Sequence, residues 1–344
     1  MRAFQLTDPG EAEVRDVDQP QPRAGEVLVK VTGAGVCHSD LHILHAEEAL
    51  FPTPMTFGHE VAGTIVGIGE GVLGWEEGTP VLVHPCWGCG RCRNCAVGAE
   101  NYCETFPRGT TMGPGLGADG GWAEYVAVPN RHVVPLGDLD PVLAAPLTDA
   151  GLTPYHAISL SRPRLEPTST VVVIGVGGLG HMAIQILRAT SGVRIVAVDT
   201  DEQRLGRATE LGADFTLMSD ERAADEIMRI TGGVGADAVF DFVGVTPTLT
   251  TALACIGNRG EITAVGLGAG EIAFRPEPVG TYVPWGTTIR KPYGGTRRDL
   301  QEVVNLAQRG MIDVHVDRFD LTDAAQALER LEQGEVSGRA VLVP

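Results

Sequence analysis

A strand followed by a glycine-rich turn, near the middle of the chain, constrains the fold more than any other stretch. Thr170 to Ile174 are five consecutive β-branched residues, which is typical of a strand buried on both faces in a parallel sheet. A G-x-G-x-x-G motif follows, and its glycines turn the chain, admit a pyrophosphate and let the next helix pack on the strand. We therefore predict a nucleotide-binding turn and a helix over about 179–189. The predicted cradle consists of Gly175, Gly177, Gly178, Leu179 and Gly180.

A carboxylate at the end of the next apolar run strengthens this interpretation. A G-x-G-x-x-G motif alone is often a plain glycine-rich turn, but here Asp199 follows Gly175 by 24 residues, after the run 195–198. A carboxylate at that place accepts hydrogen bonds from both ribose hydroxyls and repels a 2′-phosphate. The sequence therefore favours NAD over NADP.

The 344 residues suggest two domains, and the apolar pattern changes along the chain. Residues 1–150 carry short alternating apolar runs broken by glycine and proline, which predicts a β-rich domain. Residues 151–294 show strand-like runs just over twenty residues apart with helical segments between them, the spacing of a doubly wound parallel sheet. Residues 295–344 predict two helices and a strand, too few to fold alone, and we expect them to return to the first domain. The fold class is α/β.

Composition excludes several classes of function. A formal net charge of −18 argues against a general nucleic-acid or anionic-membrane surface. The first residues lack the apolar region of a signal peptide, and no apolar run approaches the length of a membrane span. We expect a cytoplasmic protein without a nucleic-acid or membrane partner.

Four of the seven cysteines form a metal-binding pattern. They are separated by two, two and seven residues in a loop with few core-forming side chains, and four thiolates without an open position indicate a structural Zn²⁺. An iron–sulfur cluster and disulfides are the competing interpretations. The predicted ligands are Cys89, Cys92, Cys95 and Cys103; Cys86 and Cys255 lie outside the pattern and are predicted to be a bystander and a core residue.

Cys37 and His59 form a second candidate metal pair. Cys37 ends the predicted strand 27–36, and His59 lies in Gly58-His59-Glu60. Each residue alone is more often structural. Together they offer one thiolate and one imidazole at two junctions between loop and strand.

These motifs together resemble the zinc-dependent medium-chain alcohol dehydrogenases. The resemblance rests on G-H-E-x-x-G from Gly58, on the four-cysteine loop, and on the glycine turn with Asp199, and it covers essentially the whole chain. Through the run 146–156 the chain is most similar to bacterial NAD-dependent secondary alcohol dehydrogenases. The resemblance implies a GroES-like catalytic domain (1–150, completed by 295–344), a Rossmann NAD-binding domain (151–294), and an active site in the cleft between them. It also implies two zinc ions per chain, NAD, and a homodimer or homotetramer.

The resemblance also implies roles for single residues. Cys37, His59 and Asp149 would hold the catalytic zinc, with Glu60 beside it. Many relatives have cysteine at the position of Asp149, and this residue has an alternative interpretation as the N-cap of a helix starting near Ala150. The family's proton relay corresponds to Ser39 and His42.

The remaining positions would bind the cofactor or the substrate. The implied cofactor contacts are His38 and Arg339 with the pyrophosphate, Thr153 behind the nicotinamide, Arg204 with the ribose, and Val243 and Leu267 along the groove. The implied walls of the substrate pocket are Phe51, Tyr293 and Gly294, where a bulkier side chain at Gly294 would close the pocket.

We therefore expect a zinc enzyme that transfers hydride reversibly between NAD(H) and an alcohol/ketone pair, with secondary alcohols preferred. A zinc-free quinone or enoyl reductase would not need Cys37 and His59. Two interpretations stay open beside the preferred one: a polyol or primary alcohol dehydrogenase, and a non-catalytic protein that senses zinc or NAD(H).

Overall fold

The computed structural model describes residues 1–107, 109–110, 112–273 and 283–344. The chain divides into two compact units. Unit 1 consists of Met1–Leu152 and Gly294–Pro344, and unit 2 consists of Thr153–Tyr293. Within the described ranges, no helix is both long and apolar enough to span a membrane.

Strands and helices follow each other along the chain in two different patterns. The strands are β1 Arg2–Asp8, β2 Glu11–Asp16, β3 Glu26–Val36, β4 Met55–Thr56, β5 Glu60–Ile68, β6 Pro80–Val83, β7 Gly113–Pro114, β8 Gly117–Ala118, β9 Tyr125–Pro129, β10 Val133–Pro135, β11 Thr170–Ile174, β12 Arg194–Asp199, β13 Phe215–Met218, β14 Ala236–Asp241, β15 Ile256–Ala264, β16 Thr288–Arg290, β17 Val316–Asp320 and β18 Arg339–Val343. The α-helices are α1 His38–Leu44, α2 Arg93–Ala96, α3 Pro141–Ala144, α4 Leu152–Leu160, α5 Gly180–Thr190, α6 Glu202–Glu210, α7 Ala223–Ile230, α8 Thr246–Cys255, α9 Arg297–Gln308 and α10 Ala324–Glu332.

Unit 1 is built on a GroES-like β-sheet in the order β10-β6-β5-β3-β18-β17, with β9 also paired to β3. The C-terminal strand β18 runs antiparallel to β3, with Ala340 opposite Val36, and so completes the sheet from the far end of the chain. Phe4, Phe57 and Trp122 pack together in the core beneath it, with ring centroids 5.4 to 6.0 Å apart. This packing fixes the ends of β3 and β5, where the predicted metal ligands lie.

Unit 2 is a six-stranded parallel sheet in the order β13-β12-β11-β14-β15-β16, a Rossmann-like fold. All five residues of β11 are buried, and the strand pairs with β12 on one side and β14 on the other, as the β-branched run predicts. The predicted α/β class, with a GroES-like domain and a doubly wound parallel sheet, is confirmed. Strand β15 begins at Ile256, directly after the last residue of α8, and it bulges before Glu261.

The glycine turn leads from β11 into α5, which begins one residue later than predicted. A β-carbon on Gly180 would overlap the carbonyl oxygen of Gly175, so only glycine allows the helix to start this close to the strand. A β-carbon on Gly177, by contrast, would meet no atom within 4 Å. Packing therefore restricts position 180 to glycine, whereas the space beside Gly177 is open to an approaching ligand.

This difference predicts different outcomes for two alanine substitutions. We expect Gly180→Ala to lower the free energy of unfolding by about 1–3 kcal/mol, the usual effect of overpacking. Gly177→Ala should leave it unchanged but weaken NADH binding, because its methyl group would lie where the pyrophosphate approaches. Urea unfolding and NADH fluorescence titration measure the two effects.

The control is Gly206→Ala, which adds a methyl group inside α6 with no atom within 4 Å of it. It should leave NADH binding unchanged and raise stability slightly, since alanine is the better helix former. Equal stability of Gly180→Ala and Gly177→Ala would contradict the packing argument.

Candidate active site and metal centres

Cys37, His59 and Asp149 come from three separate places in unit 1. Cys37 follows β3 and is the residue that precedes α1. His59 directly precedes β5, after Gly58 with a φ of +98°. Asp149 follows the short 3-10 helix Ala145–Thr148. Chain segments up to 112 residues apart therefore converge on one point.

The side chains of these residues meet at distances that suit a shared ion. Cys37 Sγ lies 3.3 Å from Asp149 Oδ2, and His59 Nε2 lies 3.8 Å from the same oxygen. One ligand atom from each of Cys37, His59, Glu60 and Asp149 lies within 4.8 Å of all the others. Thiolate, imidazole and carboxylate together are a donor set typical of catalytic zinc. The residues present therefore fit a zinc ion.

The N-cap alternative for Asp149 does not match the helix boundary. Helix α4 begins at Leu152, so the capping position is Gly151 rather than Asp149. The carboxylate of Asp149 faces Cys37 and His59 instead. The role of Asp149 as a zinc ligand remains a prediction, and its position two residues before Gly151 does not support the capping interpretation.

Asp40 supports both members of the metal pair, and it was not predicted from the sequence. Its Oδ2 accepts the backbone N–H of Cys37 at 2.9 Å, and its Oδ1 lies 3.3 Å from His59 Nδ1. It is fully buried. The sequence contains a signal for this role. Asp40 lies three residues after Cys37, which precedes α1, and a carboxylate at that spacing is the pattern of a capping box.

Charges around His59 set its protonation. Burial lowers the pKa of His59, yet the charge of Asp40 and hydrogen bonds with Asp149, Asp40 and Cys37 raise it well above the usual value of 6.5. These neighbours stabilise positive charge on the ring. A metal ion bound at Nε2 would supply that positive charge in place of the proton.

Glu60 and Arg339 form a buried ion pair beside this cluster. Their side chains are 0% and 4% exposed, and the guanidinium also lies 3.7 Å from Asp149 Oδ2. Glu60 is packed so tightly that a β-carbon on Gly35 would overlap its carboxylate. The predicted contact of Arg339 with a pyrophosphate stays a prediction; within unit 1 the residue balances two carboxylates.

Ser39 and His42 lie on α1, next to the cluster. Ser39 is half-buried, with its Oγ 3.7 Å from Cys37 Sγ. His42 is exposed in a surface groove beside Leu41, His45 and Glu332. One residue contacts the cluster and the other reaches the surface, as a proton relay requires, and the relay itself stays a prediction.

The four-cysteine loop brings its sulfur atoms together. Cys89 Sγ lies 4.0 Å from Cys95 Sγ, and Cys92 Sγ lies 3.9 Å from Cys103 Sγ. A hydrogen bond from Thr105 and the N–H groups of Arg91 and Cys92 lower the pKa of the Cys89 thiol to about 5. N–H donors that favour the thiolate form suit a metal site, and no disulfide is present among the described cysteines.

Asp199 is tied to the glycine turn in unit 2. Its Oδ2 accepts the Val176 N–H at 2.6 Å, and its Oδ1 accepts the Asp201 N–H at 3.0 Å. Arg204 approaches Oδ1 to 3.8 Å. The predicted ribose-binding residues are thus neighbours, and Asp199 also holds the turn in place.

Asp241 holds the loop of Val243, which is another predicted cofactor contact in unit 2. This buried carboxylate accepts the N–H groups of Val243 and Gly244 and the hydroxyl of Thr248. The loop of Val243 also packs against Gly175 and accepts a hydrogen bond from Gly268, next to exposed Leu267. Asp241 was not predicted from the sequence, although it ends β14 as Asp199 ends β12.

The remaining predicted cofactor and substrate residues differ in how far they are buried. Thr153 is buried in the first turn of α4, His38 is exposed on α1, and Gly178 and Leu179 are half-buried in the turn. Phe51 is half-buried against the core of unit 1, and Tyr293 is 38% exposed.

Gly294 is restricted by its backbone and by its packing. Its φ is +47°, and a β-carbon there would overlap the sulfur of Cys86. A larger residue would therefore strain the backbone and press on Cys86, and the predicted closure of the pocket by a bulkier side chain stays a prediction. Cys86 is 3% exposed, and burial raises the pKa of its thiol to about 12.

Comparisons with known proteins agree with both halves of this structure. A family model described as the alcohol dehydrogenase GroES-like domain matches residues 23–138, and one described as zinc-binding dehydrogenase matches residues 178–309. An NAD-dependent alcohol dehydrogenase of Sulfurisphaera tokodaii is 36% identical over the full length of both chains. The chain belongs to the zinc-containing medium-chain alcohol dehydrogenase family.

Other relatives differ in substrate. The crystal structure of an alcohol dehydrogenase from Aeropyrum pernix matches with a TM-score of 0.92, 36% identity and full coverage of both chains. An acetophenone reductase from Geotrichum candidum, solved with NAD, matches at 0.87 with 32% identity, covering 100% of this chain and 97% of that one. A D-arabinose 1-dehydrogenase (NADP⁺) of Saccharolobus solfataricus is 35% identical, covering 96% of this chain and 94% of its own.

The protein is thus an NAD-dependent alcohol dehydrogenase, and its two clusters suit two zinc ions: one at the Cys/His/carboxylate site and one in the four-cysteine loop. Zinc is favoured over an iron–sulfur cluster by the family as well as by the spacing.

The support that Asp40 gives His59 predicts an effect on zinc affinity. Asp40→Asn removes the negative charge behind Nδ1, and we expect a zinc affinity about 10- to 100-fold lower at the Cys37 site. Zinc in the four-cysteine loop should stay. Zinc per chain under increasing chelator, measured by mass spectrometry of the metal, separates the two ions.

Asp119→Asn is the control, because Asp119 in the same unit accepts the Thr56 N–H and is not among the possible metal ligands. It should keep both ions. Loss of the same ion from both variants would show that the effect is one of stability and not of Asp40.

Proposed function

We propose that this dehydrogenase interconverts secondary alcohols and ketones, with Cys37, His59 and Asp149 as ligands of its catalytic zinc. The convergence of these three side chains on one point is the observation that carries the proposal. The run 146–156, similar to secondary alcohol dehydrogenases, supports the substrate class. So does the likeness to an acetophenone reductase, whose substrate is an aryl ketone.

In this proposal, side chains of unit 1 orient the zinc ligands and transfer the proton of the alcohol. A zinc ion held by Cys37, His59 and Asp149 would supply Lewis acidity that favours loss of the alcohol proton, and bound NAD⁺ would supply the hydride acceptor. Asp40 orients the His59 ring, so that Nε2 faces Cys37 and Asp149. Ser39 takes the hydroxyl proton, and exposed His42 exchanges it with solvent.

The second candidate function is that of a polyol or sugar dehydrogenase. The likeness to a D-arabinose 1-dehydrogenase supports it. Against it, the implied pocket walls Phe51 and Tyr293 are aromatic. A preference for primary alcohols, and a role limited to sensing zinc or NAD(H), have no specific contact of the described residues in their favour.

We also propose that the enzyme is a homodimer or homotetramer. Among the residues that the structure describes, β16 is an edge strand of the unit 2 sheet, with Ile289 43% exposed, and Trp285 just before it is 65% exposed. An apolar sheet edge of this kind is commonly covered by another chain.

Steady-state kinetics with a panel of alcohols test the substrate class. We expect secondary alcohols to give the highest kcat/KM, about tenfold or more above primary alcohols and polyols of similar size, because one altered group in an apolar pocket changes the rate by that order. NAD⁺ should be preferred over NADP⁺. A higher value for a polyol or an aldose would replace the proposal with the second candidate, and binding of NADH without any turnover would indicate a sensor.

Asp149→Asn tests the third ligand. An amide keeps the shape of the side chain but ligates zinc poorly, so we expect loss of the catalytic zinc and of turnover together. Zinc content and kcat are measured on the same sample. Asp149→Cys should retain the ion, since thiolate is an accepted ligand.

The matched control is Asp140→Ala, because Asp140 is a real N-cap in the same unit, accepting the Val142 N–H at 2.8 Å. It should cost about 1 kcal/mol of stability with zinc and kcat intact. If Asp149→Asn instead keeps full zinc and near-normal turnover, another residue such as Glu60 supplies the third ligand.

A further inference from the structure

Two buried histidines lie against each other in unit 1, outside both sets of proposed zinc ligands. His84 follows β6 and is fully buried, and His132 is 2% exposed in the 3-10 helix Asn130–His132. Their rings stack with centroids 5.6 Å apart, and Trp87 stacks on His132 at 6.0 Å. Buried ring nitrogens need partners, so their hydrogen bonds reveal what the pair does.

The hydrogen bonds of the pair run in one direction. His84 Nε2 lies 2.9 Å from the carbonyl oxygen of Gly295, so this nitrogen carries the proton and donates it. His84 Nδ1 then accepts from His132 Nδ1 at 3.3 Å, and His132 Nε2 accepts the N–H of Gly88 at 3.3 Å. Each ring holds a single proton. Burial lowers the pKa of both imidazoles, so the neutral forms that the chain of bonds requires are stable.

One end of this chain of bonds lies in the four-cysteine loop. Gly88 directly precedes Cys89, and a β-carbon on it would lie 2.7 Å from Cys95 Sγ and from Glu100 Cβ. Glu100 also accepts the backbone N–H of Arg297 at 2.6 Å. The segment 295–297 is therefore bonded to the loop twice, once through Glu100 and once through the two histidines.

The other end lies beside the catalytic cluster. Strand β6 ends one residue before His84 and pairs with β5, where Val83 lies opposite Val61, two residues after His59. Cys86 follows His84 by two residues and is buried. Gly294 packs directly on the sulfur of Cys86. The segment is thus held between the four-cysteine loop and the site where Cys37, His59 and Asp149 meet.

We propose that His84 and His132 are positioning residues that fix the Gly294–Gly295 backbone next to the substrate, using the four-cysteine loop as their anchor. The inference rests on the proposed function, because Gly294 matters for catalysis only if an alcohol binds beside Cys37 and His59. It gives the loop a role in substrate binding in addition to its role in folding.

His84→Phe is the test, because phenylalanine keeps a flat ring but makes neither hydrogen bond. We expect KM for the best alcohol of the panel to rise about tenfold, the factor that corresponds to about 1.4 kcal/mol. The value of kcat and the KM for NAD⁺ should change less than about twofold, and both zinc ions should stay, because only substrate positioning is lost. His132→Phe should give the same result, and the double variant should be no worse than either single one, since both break one chain of bonds.

Ile65→Ala serves as the control, because it removes a fully buried side chain from the same core and makes none of these hydrogen bonds. It should lower stability and leave KM unchanged. An unchanged KM in zinc-loaded, folded His84→Phe overturns the proposal, and so do effects that multiply in the double variant.

If His84→Phe does not fold, His84→Asn answers the same question. Its Oδ1 can still accept from His132, but Gly295 loses its donor, so KM should rise, and an unchanged KM again overturns the proposal. Absence of turnover with every alcohol in the wild-type enzyme would contradict the proposed function instead, since the histidine variants would then have no wild-type value for comparison.

Discussion

The concentration of buried acidic groups around His59 is the constraint on which the rest of unit 1 depends. Asp40 and Glu60 are completely buried, Asp149 is mostly buried, and the guanidinium of Arg339 contacts two of them. Buried charges are tolerated only when they are paired or bind a metal. One guanidinium cannot balance three carboxylates, so the cluster is stable with further positive charge, which a proton on His59 or a bound metal ion would supply.

That requirement explains why the C-terminal strand returns to the first half of the chain. Arg339 is the first residue of β18, which pairs antiparallel with β3, and β3 ends next to Cys37. The pairing therefore carries the guanidinium to the acidic cluster at the same time as it completes the sheet. Folding of unit 1 and assembly of the metal site share these contacts, and a chain without its last strand would lose both.

The sequence predicted the features that depend on local patterns. The β-branched run, the glycine spacing and the cysteine spacing each reflect a requirement of a few neighbouring residues, and β11, α5 and the four-cysteine group are found where these patterns place them. Asp40 and Asp241 were missed, although each lies in a local capping or loop pattern. Carboxylates near helix starts are common in sequences, and only their burial in the folded chain shows which of them hold a site together. The His84–His132 pair could not be predicted, because the two residues are 48 positions apart and meet only in the folded sheet.

The neighbours of Asp199 show why cofactor preference and turn geometry are linked. The same carboxylate that would bind the ribose accepts N–H groups from Val176 in the glycine turn and from Asp201 at the start of α6. Replacing it with alanine removes the repulsion of a 2′-phosphate, but it also leaves a buried N–H of the turn without its acceptor, which costs about 1–3 kcal/mol. A change of preference to NADP therefore needs a residue that still accepts from Val176, so serine or asparagine at this position is a better starting point than alanine. Cofactor choice in this unit is thus limited by the hydrogen bonding of the turn as well as by charge.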